Sequence, residues 1–185
     1  MFDYKCSFNA PWSFRKLYYL FNSSNSVNIR GKISDLEYLW ECLSDNILQV
    51  EKLVIACCPR PAKPHKGKSM TEEQIVFKQA CLGGGNLHSW LKWWSYGWLL
   101  AEYGETPIFE YTMRSYGRAD IFCPVNKIIV ECGDTASAKV NVSLSGDLAE
   151  SFVIVPYQSS IIENYAMANP CRTLVAFIFS KNNNI

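Results

Sequence analysis

Two mainly apolar segments separated by a short turn constrain the fold most strongly. They run from Gly117 to Cys123 and from Lys127 to Cys132, and their composition and period-two alternation predict a β-strand for each. Val125-Asn126 fits the turn of a two-residue hairpin, which pairs Phe122 with Ile129. We therefore expect the two strands to lie side by side in one sheet.

Each of these strands carries one acid, Asp120 or Glu131, and the predicted register places the two directly opposite each other. Opposed residues share a face with Cβ atoms about 5 Å apart. Carboxylates are rarely buried without a partner or a metal, and two like charges this close repel each other. Mg²⁺ or Mn²⁺ between them would remove the repulsion, so both acids are candidate metal ligands.

A third carboxylate, Glu110, lies on the strand predicted before the hairpin, over Pro107–Thr112. It could line the same cleft and supply another ligand oxygen. The alternative is an exposed strand carboxylate.

The remaining elements alternate between the two periods. Capping signals and apolar spacing predict helices over about 35–44, 71–81, 87–102 and 137–148. Further strands are expected over Val50–Cys58, Phe152–Pro156 and Thr173–Phe179. This order predicts an α/β fold in which helices flank a mixed central β-sheet.

Two connecting segments have unusual compositions. Residues 59–69 contain three prolines, which exclude regular structure, and the basic residues Lys63, Lys66 and Lys68. The segment is either a solvated loop or a flexible arm that contacts phosphate. Gly83–Gly85 lacks the residues of a phosphate-binding loop, so we interpret it as a hinge.

The chain of 185 residues fits a single domain, with its core over 70–180 and an N-terminal subdomain or elaboration over 1–60. Its net charge of +1 argues against unaided coating of nucleic acid. The longest apolar run is too short to span a bilayer and the N-terminus lacks signal-peptide features, so we expect no membrane and a cytoplasmic location. The eight cysteines include no CxxC pair and are expected to be reduced.

The hairpin resembles the motif of the PD-(D/E)XK nuclease superfamily, an Asp on one strand followed by Glu-x-Lys on the next. The matching segments are Gly117-Arg118-Ala119-Asp120 and Ile129-Val130-Glu131-Cys132-Gly133, and the resemblance covers about 86–156. It implies a restriction-endonuclease-like core and metal-dependent hydrolysis of phosphodiester bonds in DNA or RNA. Asp120 and Glu131 would hold the ion. Gly133 replaces the motif lysine, and Lys139 on the next helix would supply that charge.

The order of His88, Glu110, Asp120, Glu131 and Lys139 is also similar to that of the cap-snatching endonucleases of segmented RNA viruses. This similarity makes His88 a candidate metal ligand or phosphate contact, and an imidazole ligand would favour Mn²⁺ over Mg²⁺.

Two further cations are candidate contacts to nucleic acid. Lys92 lies one helical turn after His88 and shares its face. Arg118 is two residues before Asp120 and would contact a phosphate, or else pair with a nearby acid.

Several alternatives remain open. Gly133 keeps open an inactive nuclease-like fold that binds nucleic acid or assembles with proteins, and the low net charge suggests that a protein partner or a second copy of the chain brings the substrate. An unrelated α/β fold could use Asp120 and Glu131 as a structural pair.

The cysteines leave two alternatives of their own. His88 could activate a cysteine nucleophile at one of two positions, Cys123 or Cys132. A zinc ion could instead be bound by a set of Cys and His residues, namely Cys57, Cys58, His65 and Cys81.

Overall fold

In the part of the chain that the structure describes, a mixed six-stranded sheet forms the centre of the fold. The structure, a computed structural model, describes residues 29–30, 33–114, 117–146, 148–157 and 173–182. The strands of the sheet are β2 (Leu48–Ala56), β3 (Ile108–Met113), β4 (Gly117–Cys123), β5 (Ile128–Cys132), β7 (Ser151–Val155) and β8 (Thr173–Lys181). Their order is β2-β8-β7-β5-β4-β3, and only the β5–β7 pair is parallel. Two short strands, β1 (Ile29–Arg30) and β6 (Thr135–Ala136), form a separate parallel pair.

Within the described ranges, four helices cover the two faces of this sheet: α1 (Ile33–Ser44), α2 (Glu72–Ala80), α3 (Asn86–Tyr103) and α4 (Ser137–Ser145). Residues of α1 and α4 belong to the core on one face, and residues of α2 and α3 belong to the core on the other. The predicted α/β class with a mixed central sheet is therefore confirmed. Among the described residues, no helix has both the length and the apolar character needed to cross a membrane.

Strand β7 shows why both faces must be covered. Phe152 and Ile154 pack on the α1/α4 side, whereas Val153 and Val155 pack on the α2/α3 side. All four are fully buried. A strand buried on both faces is apolar at every position rather than at alternate ones.

The β4–β5 hairpin has the predicted register, with Phe122 opposite Ile129. Its turn differs from the prediction, since all four residues 124–127 lie outside the strands. The carboxylate of Glu105 accepts hydrogen bonds from the backbone N–H groups of Val125 and Asn126, at 2.8 and 3.2 Å. The turn is thus held by a distant side chain as well as by its own residues.

Part of the segment predicted as an N-terminal elaboration belongs to the main core. Strand β2 pairs along its whole length with β8 at one edge of the sheet. Leu39 and Cys42 of α1 are buried in the same core as Val140 and Leu144 of α4. The prediction for residues 1–28 falls outside the described residues.

The start of α2 gives a stability prediction. The hydroxyl of Thr71 accepts a hydrogen bond from the Gln74 backbone N–H, and the Gln74 side chain accepts one from the Thr71 N–H. Replacing Thr71 with Ala should lower the free energy of unfolding by about 1 kcal/mol, because it removes the hydroxyl that accepts the Gln74 N–H and leaves only the backbone contact of the pair. Urea denaturation would measure it. Ser69→Ala, two residues earlier in the coil, is the control, and an equal loss in both variants would contradict the assignment.

Candidate functional site

A largely polar cleft of about 350 Å³ opens where four segments meet. These are the glycine turn with the first turn of α3, the strand β4, the end of β5 with the residues after it, and the residues that follow β7. The cleft is lined by Gly83, Gly84, Gly85, His88, Asp120, Glu131, Cys132, Asp134 and Tyr157. Both motif acids and the helical histidine therefore lie on one surface.

Three candidate ligands form a compact cluster, and two of them, His88 and Asp120, line this cleft. His88, Glu110 and Asp120 each offer one ligand atom, and these atoms lie within 4.8 Å of one another. The His88 Nε2 atom lies 3.0 Å from Asp120 Oδ1. The backbone N–H of Cys132 donates to Asp120 Oδ2 at 2.8 Å. Asp120 thereby connects α3 to the end of β5.

Asp120 is held in its ionised form by these contacts. Burial alone would raise the pKa of its carboxyl group, but the hydrogen bond and charge of His88, the Cys132 N–H and the nearby Lys92 together lower it. The group is therefore a carboxylate at neutral pH, which is the form that binds a cation.

Glu110 reaches the cluster because the backbone departs from regular β geometry there. Its φ of +52° lies in the left-handed region, which is uncommon for a residue other than glycine. The usual alternation also breaks at Asp120, since Ala119 packs on the α1/α4 side and Ile121 on the α2/α3 side, although both are odd-numbered. The irregularity turns both acids towards α3.

Two cations hold the carboxylate of Glu110. The Lys92 ammonium donates to Oε1 and also to the carbonyl of Leu82. The Arg118 Nε atom lies 2.8 Å from Oε2. The Lys92 side chain has no exposed surface, which corrects the expectation that it contacts nucleic acid. Arg118 is 60% exposed and remains accessible from solvent.

Glu131 is bonded through its carboxylate to Lys139 of α4 rather than to the three-residue cluster. Continuing the hairpin register places it opposite Asp120, as predicted, yet its carboxylate accepts two hydrogen bonds from Lys139, each at 2.9 Å. Lys139 lies on α4 and also donates to the Arg118 carbonyl at 3.1 Å. The expectation that the two acids point to one shared ion is therefore not met in this conformation. Glu131 lines the cleft but lies outside the three-residue cluster.

The glycine turn packs directly on the cluster. A β-carbon at Gly83 would lie 2.6 Å from a carboxylate oxygen of Glu110, and one at Gly84 would collide with the His88 ring. The hinge interpretation overlooked this close approach. Glycine is needed here because side chains from the site occupy the space beside the backbone.

The basic loop lies apart from the cluster. Lys63, Lys66 and Lys68 are exposed, and none is among the residues that line the cleft. Three side chains anchor the backbone of the preceding residues, through Trp94 Nε1 to Cys58 O, Trp93 Nε1 to Pro59 O and Gln74 Nε2 to Ala62 O. The start of the loop is thus attached to α2 and α3 rather than behaving as a free arm.

Neither cysteine alternative gains support. Burial raises the pKa of Cys132 well above its ordinary value and that of Cys123 to about 12, so neither thiol is activated as a nucleophile. Within the part of the chain that the structure describes, the residues that could hold a metal are His88, Glu110 and Asp120, and no zinc site of Cys57, Cys58, His65 and Cys81 is formed.

The ligand atoms of the cluster are close enough together that they could hold one divalent ion. Ligand atoms of an octahedral ion with bonds of about 2.1 Å lie about 3.0 or 4.2 Å apart, within the observed spread. One imidazole and two carboxylates suit Mn²⁺ better than Mg²⁺.

Comparisons of the chain with protein-family models, with curated proteins and with solved structures found no match.

The buried Lys92–Glu110 pair gives a second stability prediction. Lys92→Met should cost about 3 kcal/mol, at the lower end of the range for breaking a buried pair because Arg118 still neutralises Glu110. Chemical denaturation would measure the loss, with the exposed Lys78→Met as control. Adding Glu110→Gln to Lys92→Met should recover part of the lost stability, since the carboxylate that had lost its Lys92 partner is then replaced by a neutral amide. A Lys92→Met variant as stable as wild type would contradict the account.

The lowered pKa of Asp120 predicts an acid dependence of stability. The folded-state pKa lies below the unfolded value of about 3.9, so its contribution is present above that value and is lost as pH falls through the folded-state pKa. The free energy of unfolding of metal-free protein should therefore decline less steeply below about pH 4 in Asp120→Asn than in wild type. Urea titrations at several pH values would test this, with Glu150→Gln as the surface control. Parallel curves for wild type and Asp120→Asn would refute it.

Proposed function

We propose that this chain is a metal-dependent phosphodiesterase of the PD-(D/E)XK type that hydrolyses DNA or RNA. The observation that carries the proposal is the cluster of His88, Glu110 and Asp120, of which His88 and Asp120 line a polar cleft. The Glu131–Lys139 pair borders the same cleft through Glu131.

The order of the elements supports the proposal. Helix α3, strands β3, β4 and β5, helix α4 and strand β7 occur in the order that the resemblance implies, with the two-residue strand β6 between β5 and α4. Asp120 on β4 and Glu131 on β5 lie on neighbouring strands at the centre of this arrangement. The likeness is one of motif and element order, so the restriction-endonuclease-like core is part of the proposal.

The cluster would hold Mn²⁺ or Mg²⁺ through His88, Glu110 and Asp120. A bound ion would supply an activated water and neutralise charge on the scissile phosphate. Lys139 would stabilise the charge that builds up on the phosphate in the transition state. Glu131 holds that lysine near the end of β5 and would join the ligands if its carboxylate turned into the cleft.

Arg118 has a role that depends on Glu110. Its exposed guanidinium pairs with one oxygen of that carboxylate. When a divalent cation neutralises Glu110 instead, the guanidinium can bind a phosphate of the substrate with two parallel hydrogen bonds. Lys63, Lys66 and Lys68 would add contacts farther along the nucleic acid.

The net charge of +1 is low for a protein that holds nucleic acid by itself. We therefore include a protein partner or a homodimer in the proposal, as the means by which substrate is brought to the cleft. The described cysteines are free thiols, which fits the cytoplasmic location that we propose.

A second candidate is an inactive nuclease-like fold that binds nucleic acid or assembles with proteins. It is favoured by the cationic partners that the acids already have, Lys92 and Arg118 at Glu110 and Lys139 at Glu131. Position 133 offers no lysine, and the ring of Tyr157 occupies the space beside its backbone.

Cleavage of labelled single- and double-stranded DNA and RNA with Mn²⁺ or Mg²⁺ tests the proposal. Asp120→Ala and Glu131→Ala should reduce the rate to background, and Lys139→Met should reduce it by about 10²–10³-fold. Glu150→Gln, which changes an exposed acid that does not line the cleft, should cut like wild type.

Calorimetric titration with Mn²⁺ separates the candidates. Binding that is lost in Asp120→Ala, without any cleavage by wild type, would favour the inactive module. The absence of both binding and cleavage would refute the metal-dependent function and leave the acids as a structural set.

A further inference from the structure

The ring of Tyr157 is placed against Gly133 by the end of the parallel β5–β7 pair. Cys132 is paired with Val155, and the Gly133 N–H donates to the Val155 carbonyl at 2.7 Å. A β-carbon at Gly133 would lie 2.5 Å from two carbons of the Tyr157 ring. Glycine at this position therefore makes room for the tyrosine, and its φ of +85° also suits glycine.

This placement brings the Tyr157 hydroxyl to the second nitrogen of His88. The Oη atom lies 3.4 Å from Nδ1, while Nε2 of the same ring lies 3.0 Å from Asp120 Oδ1. Tyr157, His88 and Asp120 thus form a continuous chain along one wall of the cleft, in which each ring nitrogen of His88 has a partner.

The chemistry of these groups gives the hydroxyl a specific task. An ionised carboxylate only accepts hydrogen bonds, so in a neutral His88 the proton is on Nε2. The Nδ1 atom then accepts a hydrogen bond from the Tyr157 hydroxyl. If Nε2 uses its lone pair for a metal, the proton is on Nδ1. The Tyr157 oxygen must then accept a hydrogen bond from the Nδ1–H group. A hydroxyl can donate in the first state and accept in the second.

We propose that Tyr157 is a positioning residue, which orients the His88 imidazole for divalent-metal binding and serves both of its tautomers. The inference deepens the proposed function and rests on it, since it assigns the outer partner of a ligand in the same cluster. Gly133 belongs to this arrangement because it seats the ring.

The state of the hydroxyl is consistent with this role. Burial, followed by the neighbouring Cys132, Asp134 and Asp120, raises the pKa of Tyr157. The phenol therefore keeps its proton at neutral pH and can act as a donor.

Calorimetric titration of the whole chain with Mn²⁺ tests the proposal. Tyr157→Phe keeps the ring over Gly133 and removes only the hydroxyl, and it should weaken Mn²⁺ binding by about 10–100-fold, as outer-shell partners of metal-bound histidines do. Tyr103→Phe makes the same chemical change at the far end of α3 and should bind like wild type.

Nuclear magnetic resonance of the imidazole nitrogens in metal-free protein supplies a signature that a merely structural role would not alter. The chain has two histidines, and His65 lies in the exposed loop, so it serves as an internal reference. Where the imidazole is neutral, wild type should show His88 with its proton on Nε2. Tyr157→Phe should show a mixture of the two tautomers.

The two failures are distinguishable. If wild type binds Mn²⁺ while Tyr157→Phe binds equally well and keeps the wild-type tautomer, the inference is overturned and the proposed function stands. If wild type does not bind Mn²⁺, the proposed function is refuted. The metal-positioning role of Tyr157 is then refuted as well, whatever the tautomer signals show.

Discussion

The contact between His88 and Asp120 is the interaction on which the rest of the site depends. A carboxylate removed from water costs several kcal/mol unless charge and hydrogen bonds replace its hydration. Here the imidazole at 3.0 Å and the Cys132 N–H at 2.8 Å provide that replacement. The same two contacts attach the first turn of α3 to the end of β5. These two contacts therefore help to pack α3 on the sheet and to form the polar cleft.

The neighbouring features break local rules in ways that serve this contact. Glu110 adopts a left-handed φ, and its carboxylate meets a fully buried lysine, Lys92. Positions 83 and 84 have no space for a side chain, because Glu110 and His88 fill the space beside Gly83 and Gly84. Unfavourable conformations and buried charges persist where the surrounding structure holds them, and such departures concentrate at functional sites. Together they distinguish the cleft from an ordinary loop junction.

The sequence was informative where local patterns govern structure. The hairpin turn expected at Val125-Asn126 predicted the register of Phe122 against Ile129. The helix predicted over about 87–102 corresponds to α3, which is followed by Gly104 with a left-handed φ of 64°. The sequence did not predict the directions in which the site side chains point. Regular alternation placed Asp120 and Glu131 on one face, but the irregularity at Glu110 is set by tertiary contacts with α3. The Tyr157–His88 contact joins residues 69 positions apart, and no local signal predicts it.

Diffraction from crystals soaked in Mn²⁺, with anomalous data recorded near the manganese edge, would test the central claim most directly. The account predicts an anomalous peak about 2.1–2.3 Å from His88 Nε2 and from oxygens of Asp120 and Glu110, with Arg118 withdrawn from Glu110. The same map would reveal whether Glu131 turns away from Lys139 to join the ion. A map without a peak at the cluster, in crystals that keep the Arg118–Glu110 and Lys92–Glu110 pairs closed, would contradict the metal site and identify the acids as a structural network.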